Sequence, residues 1–143
     1  MPYKIIFMGT PEFSVPVLEI LAKSSYQISC VYTQPPKKSN RGQKINPCPI
    51  ENSAKNLKLI IRNPNNLNTD KELKFFKELD PDIVVVVAYG QLIPKKFLDI
   101  PSKGFVNIHA SLLPKWRGAA PIQRSIMNLD QQTGISIMKI KEE

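Results

Sequence analysis

Apolar and polar positions along this chain fall into short blocks whose period changes repeatedly. Residues 3–9 (YKIIFMG) are an apolar run that breaks at Gly9-Thr10-Pro11, the pattern of a strand buried on both faces that enters a tight turn. Phe13, Val17, Leu18, Leu21 and Ala22 then recur at helical spacing, which predicts a helix with Thr10 or Ser14 near its cap and proline tolerated in its first turn. Residues 27–34 (QISCVYTQ) predict a second strand, and residues 35–44 (PPKKSNRGQK), polar, basic and rich in turn formers, predict a loop. A short helix over 49–56, a short strand over 57–61 and an amphipathic helix over 67–79 follow, the last with Leu73, Phe76 and Leu79 on one face. Residues 82–88 (DIVVVVA) carry consecutive valines with no polar alternation, which demands burial on both faces. The chain ends with a strand over 105–109 (FVNIH), a helix over 119–129 and a last strand over 134–139 (GISIMK).

Strands that alternate with helices predict an α/β fold: a Rossmann-like, doubly wound, mostly parallel sheet with helices on both faces and right-handed crossovers. There is no internal repeat and no low-complexity segment, so residues 1–143 read as one domain. In such sheets ligands bind beyond the carboxyl ends of the strands, near the point where strand order reverses. Those ends carry Gly9-Thr10-Pro11, Thr33-Gln34, Ala88-Tyr89-Gly90 and the stretch from Asn107 to Pro114. The turn at Gly9 is not a dinucleotide fingerprint, because G-T-P-E-F-S lacks the second and third glycines that let a backbone approach a pyrophosphate. No G-x-x-x-x-G-K-[ST] occurs either. Nicotinamide and ATP are disfavoured.

Composition narrows the picture further. The 143 residues are 42% hydrophobic and 22% charged, ordinary for a soluble globular chain. Thirteen prolines against six glycines suggest stiff turns more than flexible linkers. The net charge of +8 points to a polyanion, nucleic acid first, although a solvated lysine-rich surface accounts for it equally well. Cys30 and Cys48 form no C-x-x-C and join no Cys/His cluster, which argues against zinc, any other metal site and a disulfide scaffold. Cys30 lies in an apolar run and is expected in the core; Cys48, between two prolines, is expected to be inert. No window approaches the roughly 20 apolar residues of a membrane span, and the amino terminus has no signal-peptide pattern. The expectation is a cytoplasmic chain without a membrane partner.

The chain has one histidine, His109, at the end of a predicted strand. Asn107 is two positions earlier, so both side chains share a face. Histidine can accept a proton from an amine near neutral pH, and an asparagine amide can donate to an oxyanion. The pair suits acyl transfer to an amine without a covalent intermediate. A hydrogen-bonded pair that merely closes a strand is the competing reading, and spacing alone does not choose between them.

The wording around the pair is more specific. Asn107-Ile108-His109-Ala110-Ser111-Leu112-Leu113-Pro114-Lys115-Trp116-Arg117-Gly118 closely resembles the signature of the folate-dependent formyltransferases. The opening Phe7-Met8-Gly9-Thr10-Pro11-Glu12-Phe13, the segment Val86-Val87-Ala88-Tyr89-Gly90, the run Ala119-Ala120-Pro121-Ile122-Gln123-Arg124 and Thr133 to Met138 resemble the branch that acts on methionyl-tRNA. The resemblance covers essentially the whole chain. It implies 10-formyltetrahydrofolate as formyl donor, no metal, and direct attack by the amino group of initiator methionyl-tRNA through a tetrahedral intermediate. It implies Asn107 as the oxyanion donor and His109 as the acceptor or relay of the amine proton. Ser111, Leu112, Leu113, Pro114, Tyr89 and Gly90 would contact the folate; for Leu112 and Leu113 plain core packing is an equal reading.

Lys37, Lys38, Arg41 and Lys44 lie close together with no acid among them. A solvated loop is the ordinary reading of such a run; the resemblance implies contact with the tRNA acceptor stem. Lys115, Arg117 and Arg124 are further candidates for phosphate, with Trp116 an apolar wall or a core residue. The family also carries an Asp on the loop after the last strand, and Glu142 and Glu143 do not match it. Family members run to about twice this length, with a second β-barrel domain. The expectation is thus an incomplete amino-terminal folate-binding catalytic domain, monomeric and inactive by itself. Formyl transfer to a ribonucleotide or sugar amine, and a non-catalytic folate- or tRNA-binding module, remain as alternatives.

Overall fold

The computed structural model describes residues 2–39, 44–110, 132 and 134–141. In chain order the elements are β1 (Lys4–Gly9), α1 (Val15–Lys23), β2 (Gln27–Tyr32), β3 (Lys37–Ser39), β4 (Lys44–Asn46), α2 (Pro49–Asn56), β5 (Ile61–Arg62), α3 (Asp70–Leu79), β6 (Ile83–Val87), α4 (Lys95–Leu98), β7 (Phe105–His109) and β8 (Ser136–Ile140). The main sheet has the order β5-β2-β1-β6-β7-β8. All its pairings are parallel except β7 with β8, which sets His109 opposite Ser136 and Phe105 opposite Ile140. The mostly parallel α/β sheet expected from the alternation of elements is the one observed.

The centre of the sheet follows from the apolar runs. β1 and β6 are adjacent, with Ile5 to Gly9 in register with Ile83 to Val87. Their side chains divide between two cores. Met8, Val84 and Val86 join Tyr32, Phe76, Phe97 and Phe105 on the face covered by α3 and α4. Ile5, Phe7, Val85 and Val87 join Leu18, Ile50 and Ala54 on the face covered by α1 and α2. Phe76 of α3 anchors the first core: its ring stacks on Phe105 at 5.9 Å and meets the edge of Phe97 at 5.1 Å. Such aromatic pairs add to the area they bury.

Several boundaries differ from those read in the sequence, each for a local reason. The 35–44 stretch is not loop throughout, because Lys37 pairs with Asn46 and Lys38 with Ile45 in a small antiparallel hairpin. Strands of three residues carry no periodicity for a sequence reading to detect. The strand expected over 57–61 begins only at Ile61, since Leu57 caps α2 and Lys58 turns the chain at φ 59°. The helix expected from 67 starts at Asp70, where Thr69 Oγ1 accepts from the Glu72 N–H at 3.2 Å. That is a side-chain N-cap. The short α4 carried no pattern, and the helix expected over 119–129 lies outside the described residues.

One ion pair fastens α3 to the β5 edge. Arg62 donates from Nε to Glu72 Oε2 at 2.9 Å and from Nη2 to Oε1 at 2.6 Å. The guanidinium also stands 4.0 Å from the centre of the Phe75 ring. The Tyr32 hydroxyl reaches the same carboxylate at 3.5 Å. The Glu72 side chain is 8% exposed and that of Arg62 is 22% exposed, so the pair is largely desolvated. Breaking it from one side strands a buried charge, whereas replacing both partners does not. Glu72→Ala should therefore lower the unfolding free energy by about 2–4 kcal/mol. The apolar double variant Arg62→Met with Glu72→Leu should cost less than Glu72→Ala alone. Urea unfolding of the two variants checks this, and a single variant cheaper than the double would reduce the pair to surface strength.

Cys30 is completely buried, as its apolar run predicted. Burial pushes its thiol from 9.0 up to about 12, and burial raises Tyr32 and Tyr89 as well. The unfolded chain releases these protons at lower pH than the folded one. Stability is thus fully present below about pH 9 and declines as pH rises from 9.0 toward 12. Thermal unfolding followed across that range should show the decline, and Cys30→Ala should make it shallower. An equally steep decline in Cys30→Ala would acquit the thiol.

Candidate active site

The direction of the chain changes at β1. From β1 it passes through α1 to β2 and β5 on one side; β6, β7 and β8 lie on the other. The crevice outside the carboxyl ends of β1 and β6 is the position at which a doubly wound sheet receives ligands. Gly9 pairs with Val87 there. A side-chain carbon on Gly9 would stand 2.9 Å from the Val87 carbonyl oxygen and 3.0 Å from Ser14 Cβ. Glycine is needed so that the turn after β1 can pack against β6.

Two hydroxyls complete that closure. Ser14 Oγ, fully buried, donates to the Val87 carbonyl at 2.5 Å. Thr10 Oγ1 donates to the Tyr89 carbonyl at 2.7 Å. The sequence placed one of these residues at the cap of the first helix; the structure turns both hydroxyls across to β6. Between the two pinned carbonyls Ala88 adopts φ 52° and Gly90 adopts φ 92°. A non-glycine residue in the left-handed region costs about 1–3 kcal/mol and persists only where its surroundings enforce it. Ala88 and Gly90 are exposed, while Tyr89 as a whole residue is 2% exposed and belongs to the core. Its buried hydroxyl has no hydrogen-bond partner among the described residues.

Asn107 and His109 lie on β7 and share the face of Phe105, since Ile108 packs toward the opposite core. Register sets Asn107 in a row with Met8 and Val86 on one side and Met138 on the other. His109 projects one step beyond the last β6–β7 pair, Val86 with Asn107. Both are half-buried. An amide and an imidazole thus share one face of β7, the neighbour of β6 in the sheet.

The remaining sequence candidates divide. Ser111, Leu112, Leu113, Pro114, Lys115, Trp116, Arg117, Arg124 and Arg41 lie outside the described residues. Lys37 is exposed at the start of β3, Lys38 pairs with Ile45 and Lys44 with Ser39, so these lysines belong to one hairpin that follows β2. Two further side chains, Gln34, which the sequence offered only as part of a strand end, and Gln91, brace the turn after β6. Gln34 Oε1 accepts from Gln91 Nε2 at 3.2 Å, and Gln91 Nε2 also donates to the Pro64 carbonyl at 2.9 Å. Their only signal in the sequence was a place just past a strand end. An open cavity of about 420 Å³ lined by Lys95, Asp99, Gly104 and Lys139 lies at the amino ends of β6 and β7, away from all of these groups. Among the described residues no group of three or more His, Cys, Asp or Glu side chains could hold a metal ion, and no helix is long and apolar enough to cross a membrane.

Comparison with known proteins gives this arrangement a family. Residues 3–143 match the family described as Formyl transferase. The chain is 62% identical over its full length to a methionyl-tRNA formyltransferase of Pelagibacter ubique, of which it covers 46%. It is 51% identical to that of Mesorhizobium japonicum, with 99% of this chain and 45% of the relative aligned. The chain thus spans about half the length of the curated relatives it matches. Among solved structures it resembles a phosphoribosylglycinamide formyltransferase from Anaplasma phagocytophilum, with a TM-score of 0.75 at 23% identity over 100% of this chain and 67% of the other. A formyltetrahydrofolate deformylase from Pseudomonas syringae gives a TM-score of 0.73 at 18% identity over 100% of this chain and 47% of the other. At those identities the solved structures establish the fold. The family match and the curated relatives establish the rest: the chain belongs to the formyl transferase family.

Proposed function

We propose that this chain carries the formyl-transfer site of an enzyme that moves a formyl group from 10-formyltetrahydrofolate to the amino group of initiator methionyl-tRNA. The reading is supported by the placement of Asn107 and His109 on one face of β7, the neighbour of β6, whose carboxyl end leads into the left-handed turn at Ala88 and Gly90. High identity to relatives named methionyl-tRNA formyltransferase supports the choice of acceptor. Residues 1–143 would act as the folate-binding catalytic unit, working as a monomer in the cytoplasm.

The chemistry follows from the groups present. The acceptor amine attacks the formyl carbon, and the carbonyl oxygen takes up negative charge. The Asn107 amide donates to that oxygen. His109 takes the proton lost by the amine and relays it to the departing nitrogen of the donor as the carbon–nitrogen bond breaks. No covalent intermediate on the protein is required. The donor would approach the turn at Ala88 and Gly90, both exposed; Ser111, Leu112, Leu113 and Pro114, which follow β7 in the chain, would complete its seat. Lys37, Lys38, Arg41 and Lys44 would meet phosphates of the tRNA acceptor stem.

Transfer by the full-length protein, with initiator methionyl-tRNA or glycinamide ribonucleotide as competing acceptors, tests the reading. Transfer to the tRNA alone is expected; transfer to the nucleotide alone would keep the site and overturn the acceptor. Asn107→Ala should lower kcat by about 100- to 1,000-fold and His109→Ala by about 100- to 10,000-fold, with donor affinity nearly unchanged. Near-normal turnover in either variant removes that residue from the mechanism. Replacing Lys37, Lys38 and Arg41 together should weaken tRNA binding and flatten its log–log salt dependence by about 0.9 for each phosphate no longer engaged. An unchanged slope would make the hairpin a solvated surface.

A further inference from the structure

The root of the basic hairpin and the 88–91 turn meet at one side chain, Gln34. Its backbone N–H donates to Thr10 Oγ1 at 3.4 Å, and the same hydroxyl holds the Tyr89 carbonyl at 2.7 Å. Its side-chain Oε1 accepts from Gln91 Nε2 at 3.2 Å. Its Nε2 lies so close to Gly90 that a side-chain carbon there would stand 2.6 Å away. Gln91 in turn is tied to the Pro64 carbonyl beyond β5 at 2.9 Å. One residue thus contacts Gly90 and Gln91 and shares the hydroxyl that pins Tyr89.

The other side of Gln34 leads directly into the hairpin. Pro35 and Pro36 separate it from Lys37, the first residue of β3. Each proline fixes its own φ and narrows the choices of the residue before it. A movement of the hairpin is therefore passed to Gln34 and not absorbed in a flexible linker.

We propose that Gln34 is a positioning residue that couples the two substrates, so that seating a polyanionic acceptor on the hairpin steadies the 88–90 backbone that receives the donor. The proposal rests on the formyl-transfer reading above. Coupling of this kind is reciprocal: each ligand tightens the other by the same factor. The joint consists of neutral hydrogen bonds, each of modest net worth, which sets the size of the effect. Asn107 and His109 stand on β7, separated from Gln34's strand by β1 and β6, so the chemical step itself does not pass through the joint.

The test uses the full-length protein and tetrahydrofolate lacking the formyl group, whose dissociation constant is measured without and with saturating initiator methionyl-tRNA. The unaltered protein should bind it about 3- to 10-fold more tightly with the tRNA present. In Gln34→Ala, and in Gln91→Met, which breaks the joint from its other side, that ratio should fall to about one. Turnover at saturating substrates should stay within about twofold. A purely structural role would not separate the ratio from turnover in this way. Should Gln34→Ala fail to fold, Gln91→Met decides alone. A ratio of one in the unaltered protein, or a variant that keeps the unaltered ratio, overturns the coupling while leaving the formyl-transfer reading intact. An unaltered protein that binds neither ligand overturns the formyl-transfer reading and the coupling with it.

Discussion

The close approach at Gly9 is the constraint on which the carboxyl edge of the sheet depends. The Val87 carbonyl and Ser14 occupy the space that any side chain at position 9 would need. Because glycine leaves it free, the turn after β1 sits flush on β6 and brings Ser14 and Thr10 within reach of the Val87 and Tyr89 carbonyls. Those two bonds hold Ala88 in a left-handed conformation that an alanine would otherwise leave. The shape of the backbone at 88–90 is thus a product of its packing against the turn after β1. A side chain at position 9 would act on that backbone without touching it.

The core supplies the stiffness such a strained edge requires. β1 and β6 are buried on both faces, with one set of side chains under α1 and α2 and the other under α3 and α4. Phe76 links α3 to both Phe97 and Phe105, and the Arg62–Glu72 pair ties the same helix to the β5 edge. The helix is therefore fixed on both sides of the central strands, by aromatic contact toward β7 and by charge toward β5. Strain at Ala88 persists because the strands around it have nowhere else to go.

Much of this was legible in the chain. The valine run from Val84 to Val87, the apolar opening strand and the alternation of periods specified a parallel sheet, because a strand buried on both faces leaves no polar alternation. The Asn107–His109 spacing placed both groups on one face, and β7 keeps them there. The turn at Gly9 was readable as something other than a phosphate loop, yet its real partner, the Val87 carbonyl, is far away in sequence. The same distance hid the roles of Gln34 and Gln91, whose amides meet only when β2 and β6 flank β1. The hairpin at 37–46 was missed because three-residue strands contain too few positions to show a period. Local pattern reveals which residues lie inside; it does not reveal which backbone carbonyl a hydroxyl will find across the sheet.

The register of the sheet also sets the surroundings of Asn107. Its row across the sheet reads Met8, Val86, Asn107, Met138, so the amide is flanked on both sides by apolar side chains. Asn107 is itself half-buried and Met138 is 38% exposed, so the row runs from the dry interior at Met8 and Val86 out toward solvent. On the proposed reading, a donor held by the strand would need little reorganisation as charge develops on an oxygen in front of it. His109, equally half-buried, lies two residues farther along, past the end of the β6 pairing. On the proposed reading the same strand would present both the donor and the base, and the point at which β6 stops and β7 continues sets where they stand.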